Sequence, residues 1–181
     1  MLSSCDRISV CGKSPLTGGV KEANAGGTTG LQMALLGIRA LILEDKPEAD
    51  AWWVLVVSAD GVRFEPAGDL VGLGVTESAR RLVERYGEKA ALSLIGPGGE
   101  MLMSAAGIQN LDKDHAPTRI AARGGLGALM GSRRIKAIAR AAVERWQGLV
   151  QVGMTDLGGS LDVVSAYRPG EALVTDLYDA P

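Results

Sequence analysis

Glycine is the residue type that most restricts how this chain folds. It accounts for 25 of 181 residues, about twice its usual share of roughly 7%. Two glycine-rich segments, Ala23–Gly30 (ANAGGTTG) and Ala122–Gly127 (ARGGLG), directly precede predicted helices. Because glycine has no Cβ, it permits positive φ angles and lets other groups approach the backbone closely. The sequence therefore predicts tight loops between short elements.

Charge and hydropathy argue against several classes of function. Lys plus Arg (19) nearly balances Asp plus Glu (21), so no strong field favours nucleic acid or an anionic membrane surface. The longest apolar run, Trp52–Val57, is far shorter than the roughly 20 residues that cross a bilayer. The first ten residues do not have the pattern of an export signal. We expect a cytoplasmic protein with neither nucleic acid nor a membrane as a partner.

Cysteine and histidine are scarce. Cys5 and Cys11 are the two cysteines, half the number of thiolates in a typical iron–sulfur cluster, so we expect no cluster on this chain alone. His115 is the one histidine, and histidine is the residue type best suited to general acid or base catalysis at neutral pH. Because a loop histidine beside Asp112 and Asp114 is more often a surface residue, we assign no catalytic residue.

The spacing of apolar residues predicts short strands and helices. Helices are expected at Leu31–Leu36, from an N-cap at Thr76 to a stop at Gly87, and at Ala128–Gly131. Strands are expected at Arg7–Gly12, Ala40–Glu44, Trp52–Ser58, Val62–Glu65, Ala90–Ile95, around Ile135–Ala139, at Leu161–Ser165 and at Leu173–Leu177. The pattern predicts an α+β fold in which mixed β-sheets carry short helices that follow glycine-rich loops.

Turn-forming residues separate these elements. Asp60-Gly61 favours a tight hairpin, and Ser14–Gly19 (SPLTGG) and Gly96–Gly99 (GPGG) are predicted as turns. Met101–Ala106 is ambiguous between strand and helix. Near the C-terminus, Val143–Trp146 is expected to extend a helix, whereas Gly148–Gly159 and Ala166–Gly170 are expected to be loops.

The two glycine-rich segments also resemble each other. Gly26-Gly27 is followed ten residues later by Gly37 and then by an apolar strand, whereas Gly124-Gly125 is followed six residues later by Gly131 and a strand. The four-residue difference equals about one helical turn. An internal duplication is one interpretation, and chance similarity in a glycine-rich chain is the other.

Glycine loops that open helices are suited to phosphate. They present unpaired N–H groups near the positive end of the helix dipole. Arg123, directly before Gly124, adds a guanidinium that can bind phosphate oxygens with two donors, and the side-chain oxygen of Asn24 is suited to a cation. The chain has neither standard nucleotide motif, G-x-x-x-x-G-K-[ST] or G-x-G-x-x-G after a strand. Tight turns and helix stops are therefore the alternative explanation for these glycines.

Five segments of the chain match a known pattern. They are SPLTGG (Ser14–Gly19), ANAGG (Ala23–Gly27), GIRALILEDKPE (Gly37–Glu48), IGPGGE (Ile95–Glu100) and ARGGLGALMGSRRIKAI (Ala122–Ile138). In order and approximate spacing they resemble the N-terminal domain of the aldehyde ferredoxin oxidoreductase family. The last segment, with its RGGLGA-x-MGS core, is the most specific.

The resemblance implies a base domain of β-sheets that carries a bis-pterin tungsten, occasionally molybdenum, cofactor, with its two phosphates bridged by magnesium. It implies that an arginine, an asparagine and the R-G-G-L-G loop contact pterin or phosphate, and these positions fall on Arg7, Asn24, and Arg123 with Gly124. Asn24 is also the expected magnesium ligand. The expected cofactor-binding set further includes the neighbouring glycines Gly26, Gly27, Gly125 and Gly127.

The chain also departs from the family pattern. The opening segment before S-P-L-T-G is missing, and so are the helical domains that supply the cluster cysteines, further pterin motifs and proton-transfer residues. We expect residues 1–140 to form a cofactor-binding domain that lacks its first segment, and residues 141–181 to form an unassigned C-terminal extension of it.

Three hypotheses about function follow. The first is a piece of a tungsten- or molybdenum-pterin enzyme that oxidises aldehydes to acids and passes electrons to ferredoxin, with separate partner chains that carry the iron–sulfur domains. The second is a stand-alone, non-catalytic or degenerate module that binds a pterin or another phosphorylated ligand. The third is a homo-oligomer, because an uncovered cofactor face exposes apolar surface. Whether this chain alone is an enzyme is left open.

Overall fold

In a computed structural model of the protein, residues 6–45, 50–58, 61–141, 150–154 and 161–166 are described. Their strands are β1 (Ile8–Lys13), β2 (Val20–Ala25), β3 (Ile42–Leu43), β4 (Trp53–Ser58), β5 (Gly61–Pro66), β6 (Ala91–Leu94), β7 (Ile108–Asn110), β8 (Arg119–Ala121), β9 (Ile135–Arg140), β10 (Val150–Met154) and β11 (Leu161–Ala166). Their helices are α1 (Thr29–Leu35), α2 (Val75–Tyr86), α3 (Pro97–Glu100) and α4 (Leu126–Ser132), with 3-10 turns at Gly68–Leu70 and Arg123–Gly125.

The largest sheet within these residues has six strands in the order β5-β4-β9-β6-β7-β8. β4 and β9 are parallel, and the other neighbours are antiparallel. The β4 side chains from Val54 to Val57 are fully buried, as an uninterrupted apolar run requires when both faces of a sheet are covered. A β1–β2 hairpin and a three-stranded sheet of order β10-β11-β3 accompany it. The predicted α+β class is confirmed.

Helices cover both faces of this central sheet. On one face, α2 packs Ala79 and Leu82 into a cluster with the even-numbered residues of β4. On the other face, Met33 of α1 and its C-cap residue Leu36 join a cluster with the odd-numbered residues of β4. α4 and the β1–β2 hairpin cover the remainder of this second face. Burial of each large apolar side chain stabilises the fold by roughly 1.5–3 kcal/mol.

The first glycine-rich segment is shorter than the sequence predicts. Ala23–Ala25 are not in a loop, because they belong to β2, which pairs with β1 from Ala25 opposite Ile8 to Val20 opposite Lys13. Alternation along β2 buries Ala23 and Ala25 and turns Asn24 towards the other face of the hairpin. The predicted turn at Ser14–Gly19 joins the two strands, with Gly18 at a φ of +72°.

The predicted C-terminal ends of α1 and α2 are confirmed. At α1, the Gly37 N–H donates to Ala34 O at 2.9 Å and the Ile38 N–H donates to Met33 O at 3.0 Å, the paired bonds of a Schellman motif. α2 stops at Gly87, which has a φ of +88°. The predicted N-cap Thr76 is wrong, because α2 begins at Val75 and Gly74 is its N-cap.

Other differences arise where tertiary pairing decides the structure. Gly96–Gly99, predicted as a turn, contributes to the one-turn helix α3, and Met101–Ala106 is neither strand nor helix. The predicted loop Gly148–Gly159 contains β10, whereas the predicted strand at Leu161–Ser165 is confirmed as β11. The three-residue strands β7 and β8 were not predicted. The predictions for Val143–Trp146 and Leu173–Leu177 lie outside the described residues.

The hypothesis of an internal duplication agrees with the order of the elements but not with their lengths or their strand pairing. Each glycine loop precedes a helix and then a strand, yet α1 and α4 both have seven residues. The four-residue difference in glycine spacing is therefore not an additional helical turn. The strands that follow also differ, because β3 joins the sheet of β10 and β11 whereas β9 lies inside the central sheet.

A buried ion pair joins α3 to β9 and to the loop before α2. Trp53 pairs with Ile135 and Val54 with Ala137, so Lys136 is the extra residue of a β-bulge in β9. Bulges redirect side chains, and the fully buried Lys136 ammonium donates to Leu73 O at 3.1 Å and to the Glu100 carboxylate.

None of the helices in the described residues combines the length and apolar character needed to cross a membrane.

Candidate functional site

An open cleft of about 650 Å³ lies beside the first glycine loop. One wall consists of Asp6, Arg7 and the end of β2 with residues 26–28, and a second wall comes from residues 112–114 and the start of β8. At the first wall, the Arg7 guanidinium donates a hydrogen bond to Asn24 Oδ1. Two predicted cofactor-binding side chains that are 17 residues apart in sequence therefore meet.

The two glycines of this loop differ in their surroundings. A Cβ on Gly26 would meet no atom within 4 Å, so a ligand can approach the backbone there. Gly27 has a φ of +117°, and a Cβ on it would lie 2.6 Å from Leu111 O. The Thr28 N–H then donates to Leu111 O at 2.9 Å. Packing therefore requires glycine at 27, whereas no neighbouring atom requires it at 26, where the backbone is open to the cleft.

The cleft is polar and electrically balanced. Arg7, Lys113 and Arg119 face three carboxylates, Asp6, Asp112 and Asp114. The Asp112 carboxylate accepts hydrogen bonds from Thr118 Oγ1 at 2.6 Å and from two backbone N–H groups. These bonds, with that of Thr118 first, lower the pKa of Asp112 below the ordinary aspartate value. Asp112 is therefore an ionised residue that organises its own loop.

A buried chain of polar side chains connects the two walls. Thr29, Ser93 and Asn110 are each at most 2% exposed. Ser93 Oγ lies 3.2 Å from Thr29 Oγ1 and donates to Asn110 Oδ1 at 2.5 Å, and Asn110 Nδ2 donates to Arg119 O at 3.2 Å. The first residue of α1 is thus tied through β6 and β7 to the first residue of β8. Sequence reasoning missed this network because its members lie on four separate elements.

The second glycine loop is packed against the protein. Arg123 is exposed, but Gly125 and Gly127 are buried. The Gly124 carbonyl accepts a hydrogen bond from Ser14 Oγ at 2.6 Å, and a Cβ on Gly124 would lie 2.7 Å from Lys21 Cβ. Cβ atoms on Gly125 and Gly127 would collide with the carbonyls of Ser104 and Gly107. Most of this loop therefore needs glycine for internal packing.

The structure does not bring both glycine loops into one cleft. Arg123 and Gly124 do not line the cleft, and they lie beside the Lys21 end of β2, whereas Gly26 follows the other end. The loops therefore flank the same strand. A rise of roughly 3.3 Å per residue separates its ends by more than 10 Å.

The remaining candidates lie apart from the cleft. His115 has a φ of +60° and does not line it. Cys11 is exposed on the β1–β2 hairpin, and Cys5 lies outside the described residues. Among the residues that the structure describes, no three His, Cys, Asp or Glu side chains form a metal-binding group.

Comparisons with known proteins support a family assignment. The family profile "Aldehyde ferredoxin oxidoreductase, N-terminal domain" matches residues 1–142. The tungsten-containing aldehyde ferredoxin oxidoreductase of Pyrococcus furiosus is 37% identical over 134 residues, which cover 74% of this chain and 21% of that protein. The enzyme of the same name from Pyrococcus horikoshii is 34% identical over 159 residues, which cover 87% of this chain and 24% of that protein.

A solved structure shows the same fold. It is the active site complex BamBC of benzoyl coenzyme A reductase in complex with 1,5 dienoyl-CoA, with a TM-score of 0.66 and 24% identity. The match covers 82% of this chain and 21% of that one. This chain spans about a fifth to a quarter of the length of the curated relatives it matches. With the family profile over residues 1–142, these matches show that the chain belongs to the aldehyde ferredoxin oxidoreductase family and carries its N-terminal domain.

Proposed function

We propose that this domain binds a tungsten- or molybdenum-containing bis-pterin cofactor through its phosphates, within an enzyme that oxidises aldehydes to carboxylic acids and reduces ferredoxin. The curated relatives are named as tungsten-containing enzymes of this type. When bound, the cofactor would supply the redox chemistry, and this chain would bind and orient it.

The contact between Arg7 and Asn24 at the open glycine loop is the observation that carries the proposal. Arg7 offers a guanidinium that can bind phosphate oxygens with two donors. Gly26 leaves its backbone open towards the same cleft. A cationic fork, an amide and an unobstructed backbone in one cleft form a donor set that fits a phosphate.

We also propose that Asn24 holds the magnesium ion that would accompany the phosphates. Asn24 Oδ1 accepts one hydrogen bond from Arg7, and an amide oxygen has a second lone pair that a cation could use.

The second loop would hold the other part of the extended cofactor. Arg123 is exposed and free to contact a phosphate, and Gly124 presents a half-buried backbone beside it. Gly125 and Gly127 would contribute by allowing the loop to close on Ser104 and Gly107. The two loops would thus bind one ligand from both ends of β2.

Catalysis would need protein segments beyond this domain. We propose a cytoplasmic assembly in which residues 1–140 form the cofactor base, residues 141–181 extend it, and separate chains supply the iron–sulfur domains that pass electrons to ferredoxin. The pairing of β11 with β3 supports the place of the extension in the same domain.

Metal and pterin analysis tests the proposal. The chain is purified from a host that makes the cofactor, and tungsten, molybdenum and the fluorescence of released pterin are measured. We expect near-stoichiometric metal and pterin, and their loss in Asn24→Ala and Arg123→Ala. Arg39→Ala is the matched control, because Arg39 is exposed and does not line the cleft.

A folded protein without metal or pterin would contradict this proposal. It would favour a stand-alone module that binds another phosphorylated ligand or associates with itself. Exposed apolar side chains favour self-association, and Val20 (84%) and Met101 (67%) are the most exposed of them. Sedimentation velocity distinguishes a monomer from a self-associated form, since a monomer at all concentrations excludes self-association.

A further inference from the structure

We infer that Arg140, the last residue of β9, binds a carboxylate that comes from outside this chain. The inference goes beyond the proposed function, because Arg140 does not line the cleft. It also lies beyond the last segment that carries the family resemblance, which ends at Ile138. The site is therefore separate from the one proposed for the cofactor.

Arg140 lies at the carboxyl end of the parallel strand pair in the central sheet. It pairs with Val57 of β4 and with Ala91 of β6, and both of these residues are fully buried. The Ala141 N–H donates to Val57 O at 3.0 Å, which fixes the backbone beside Arg140. Because paired residues share one face of a sheet, the Arg140 side chain begins at an apolar surface.

The Arg140 guanidinium has no partner among the residues that the structure describes. Its Nε atom is buried and has no hydrogen-bond acceptor, and the arginines of the described ion pairs are others. Loss of hydration lowers the pKa of Arg140, whereas the hydrogen bond to Glu77 raises the pKa of Arg80. Arg140 thus carries a partly desolvated charge that no described acidic neighbour compensates.

Such a charge points to an anion of matching size and charge. Moving a cation out of water without a counter-charge is costly, and buried charged groups in proteins are normally paired. The two oxygens of a carboxylate accept two parallel N–H bonds from one guanidinium. A phosphate dianion would instead leave a net negative charge beside the apolar Val57 and Ala91. The surroundings of Arg140 therefore favour a carboxylate.

Urea unfolding of the full chain tests whether Arg140 is uncompensated. In a dilute chloride buffer without carboxylates, Arg140→Met should unfold at a higher urea concentration than the native chain, because an apolar side chain replaces an unpaired charge. Arg39→Met is the matched control, since Arg39 is exposed, and it should leave the midpoint unchanged. An equal or lower midpoint for Arg140→Met would overturn the inference, because the guanidinium would then be paired within the chain.

Side-chain NMR with acetate as the probe tests the class of ligand. Acetate should shift the Nε–Hε resonance of Arg140 in a saturable way and leave that of Arg39 in place. Arg140→Lys keeps the charge and loses the planar fork, so its acetate affinity, read from the backbone amide of Ala141, should be about tenfold lower. Circular dichroism verifies that each variant is folded.

The acetate concentration at saturation distinguishes two sources of the carboxylate. Saturation at millimolar acetate indicates a free small carboxylate. Saturation only at much higher concentration indicates an acidic side chain of a partner protein, whose effective concentration is raised by the rest of the interface. An Arg140 resonance that does not respond to acetate, or that responds more strongly to inorganic phosphate, would overturn the inference.

Discussion

The two glycine loops look alike in sequence and differ in what their glycines do. In the first loop, Gly26 faces open space beside a polar cleft. In the second loop, Gly125 and Gly127 are buried against carbonyl groups of neighbouring segments. Glycine therefore leaves the backbone open in one loop and allows close backbone packing in the other. A glycine motif alone does not distinguish these two uses.

The largest effect on the free energy of unfolding is expected when the buried ion pair next to the second loop is broken. Glu100 ends α3, and backbone from α3 lies directly against Gly127 and Gly131 around α4. Glu100→Gln leaves the buried Lys136 ammonium without its counter-ion, and breaking one side of a buried ion pair costs about 4 kcal/mol. Urea unfolding measures this loss.

A double variant serves as the control for this prediction. Glu100→Gln combined with Lys136→Met removes both charges and should regain part of the lost stability, because no unpaired buried charge remains. If the single variant is as stable as the native chain, the ion pair does not support the second loop.

The next effect concerns the second loop itself. Gly125 has a φ of +70°, and a Cβ on it would lie 3.0 Å from Pro15 Cγ and closer still to Ser104 O. Positive φ and overpacking together give an expected loss of about 3 kcal/mol for Gly125→Ala in urea unfolding. Gly19→Ala is the matched control, since a Cβ there meets nothing within 4 Å. Equal unfolding midpoints for both variants would show that the second loop tolerates a side chain.

A smaller effect on stability is expected in the first loop. Gly26→Ala should change the free energy of unfolding by less than about 0.5 kcal/mol, because its Cβ would project into open space. It should nevertheless reduce the retained pterin, since the methyl group occupies the proposed ligand position. Unfolding and pterin release are measured on the same preparation. A Gly26→Ala protein that keeps full pterin content would remove the distinction between the two loops.

The smallest effect concerns the second wall of the cleft beside the first loop. Thr118→Val removes the largest cause of the lowered pKa of Asp112, so carboxyl NMR should show that pKa rise towards its ordinary value of about 3.9. Because the pKa of Asp112 is lower in the folded protein than in the unfolded chain, its carboxylate stabilises the fold at pH values above the unfolded-state pKa. This contribution is lost as the pH falls through the folded-state pKa. Thr17→Val, at an exposed position, is the control and should leave the pKa of Asp112 unchanged. An unchanged pKa of Asp112 in Thr118→Val would mean that this hydrogen bond does not form in solution.

Local signals in the sequence predicted much of the fold. The Schellman end of α1 at Gly37, the stop of α2 at Gly87 and the hairpin partners β4 and β5 depend on residues that are near in sequence. The residues of the turn at 59–60 lie outside the described ranges. Short-range patterns did not predict β7 and β8, because each strand has only three residues. They also missed β10, which contains Gly153 and forms by antiparallel pairing with β11.

The family resemblance named Arg7 and Asn24 among the predicted cofactor-binding residues, and the structure brings their side chains into contact. The sequence did not identify the Thr29–Ser93–Asn110 network, because no spacing signal connects residues that lie on three separate elements. It predicted the second half of β2, Ala23–Ala25, as loop, since a strand rich in Ala and polar residues becomes recognisable only when β1 pairs with it.

By itself, the sequence determined the α+β class, the order of most elements and the family. These follow from apolar periodicity, turn residues and motif order, all of which are local properties. The tertiary structure alone decided which glycines face a cleft, because the open space at Gly26 and the burial of Gly125 depend on neighbours that are distant along the chain. Identical residues in similar local patterns thus acquired different roles from the surfaces packed against them.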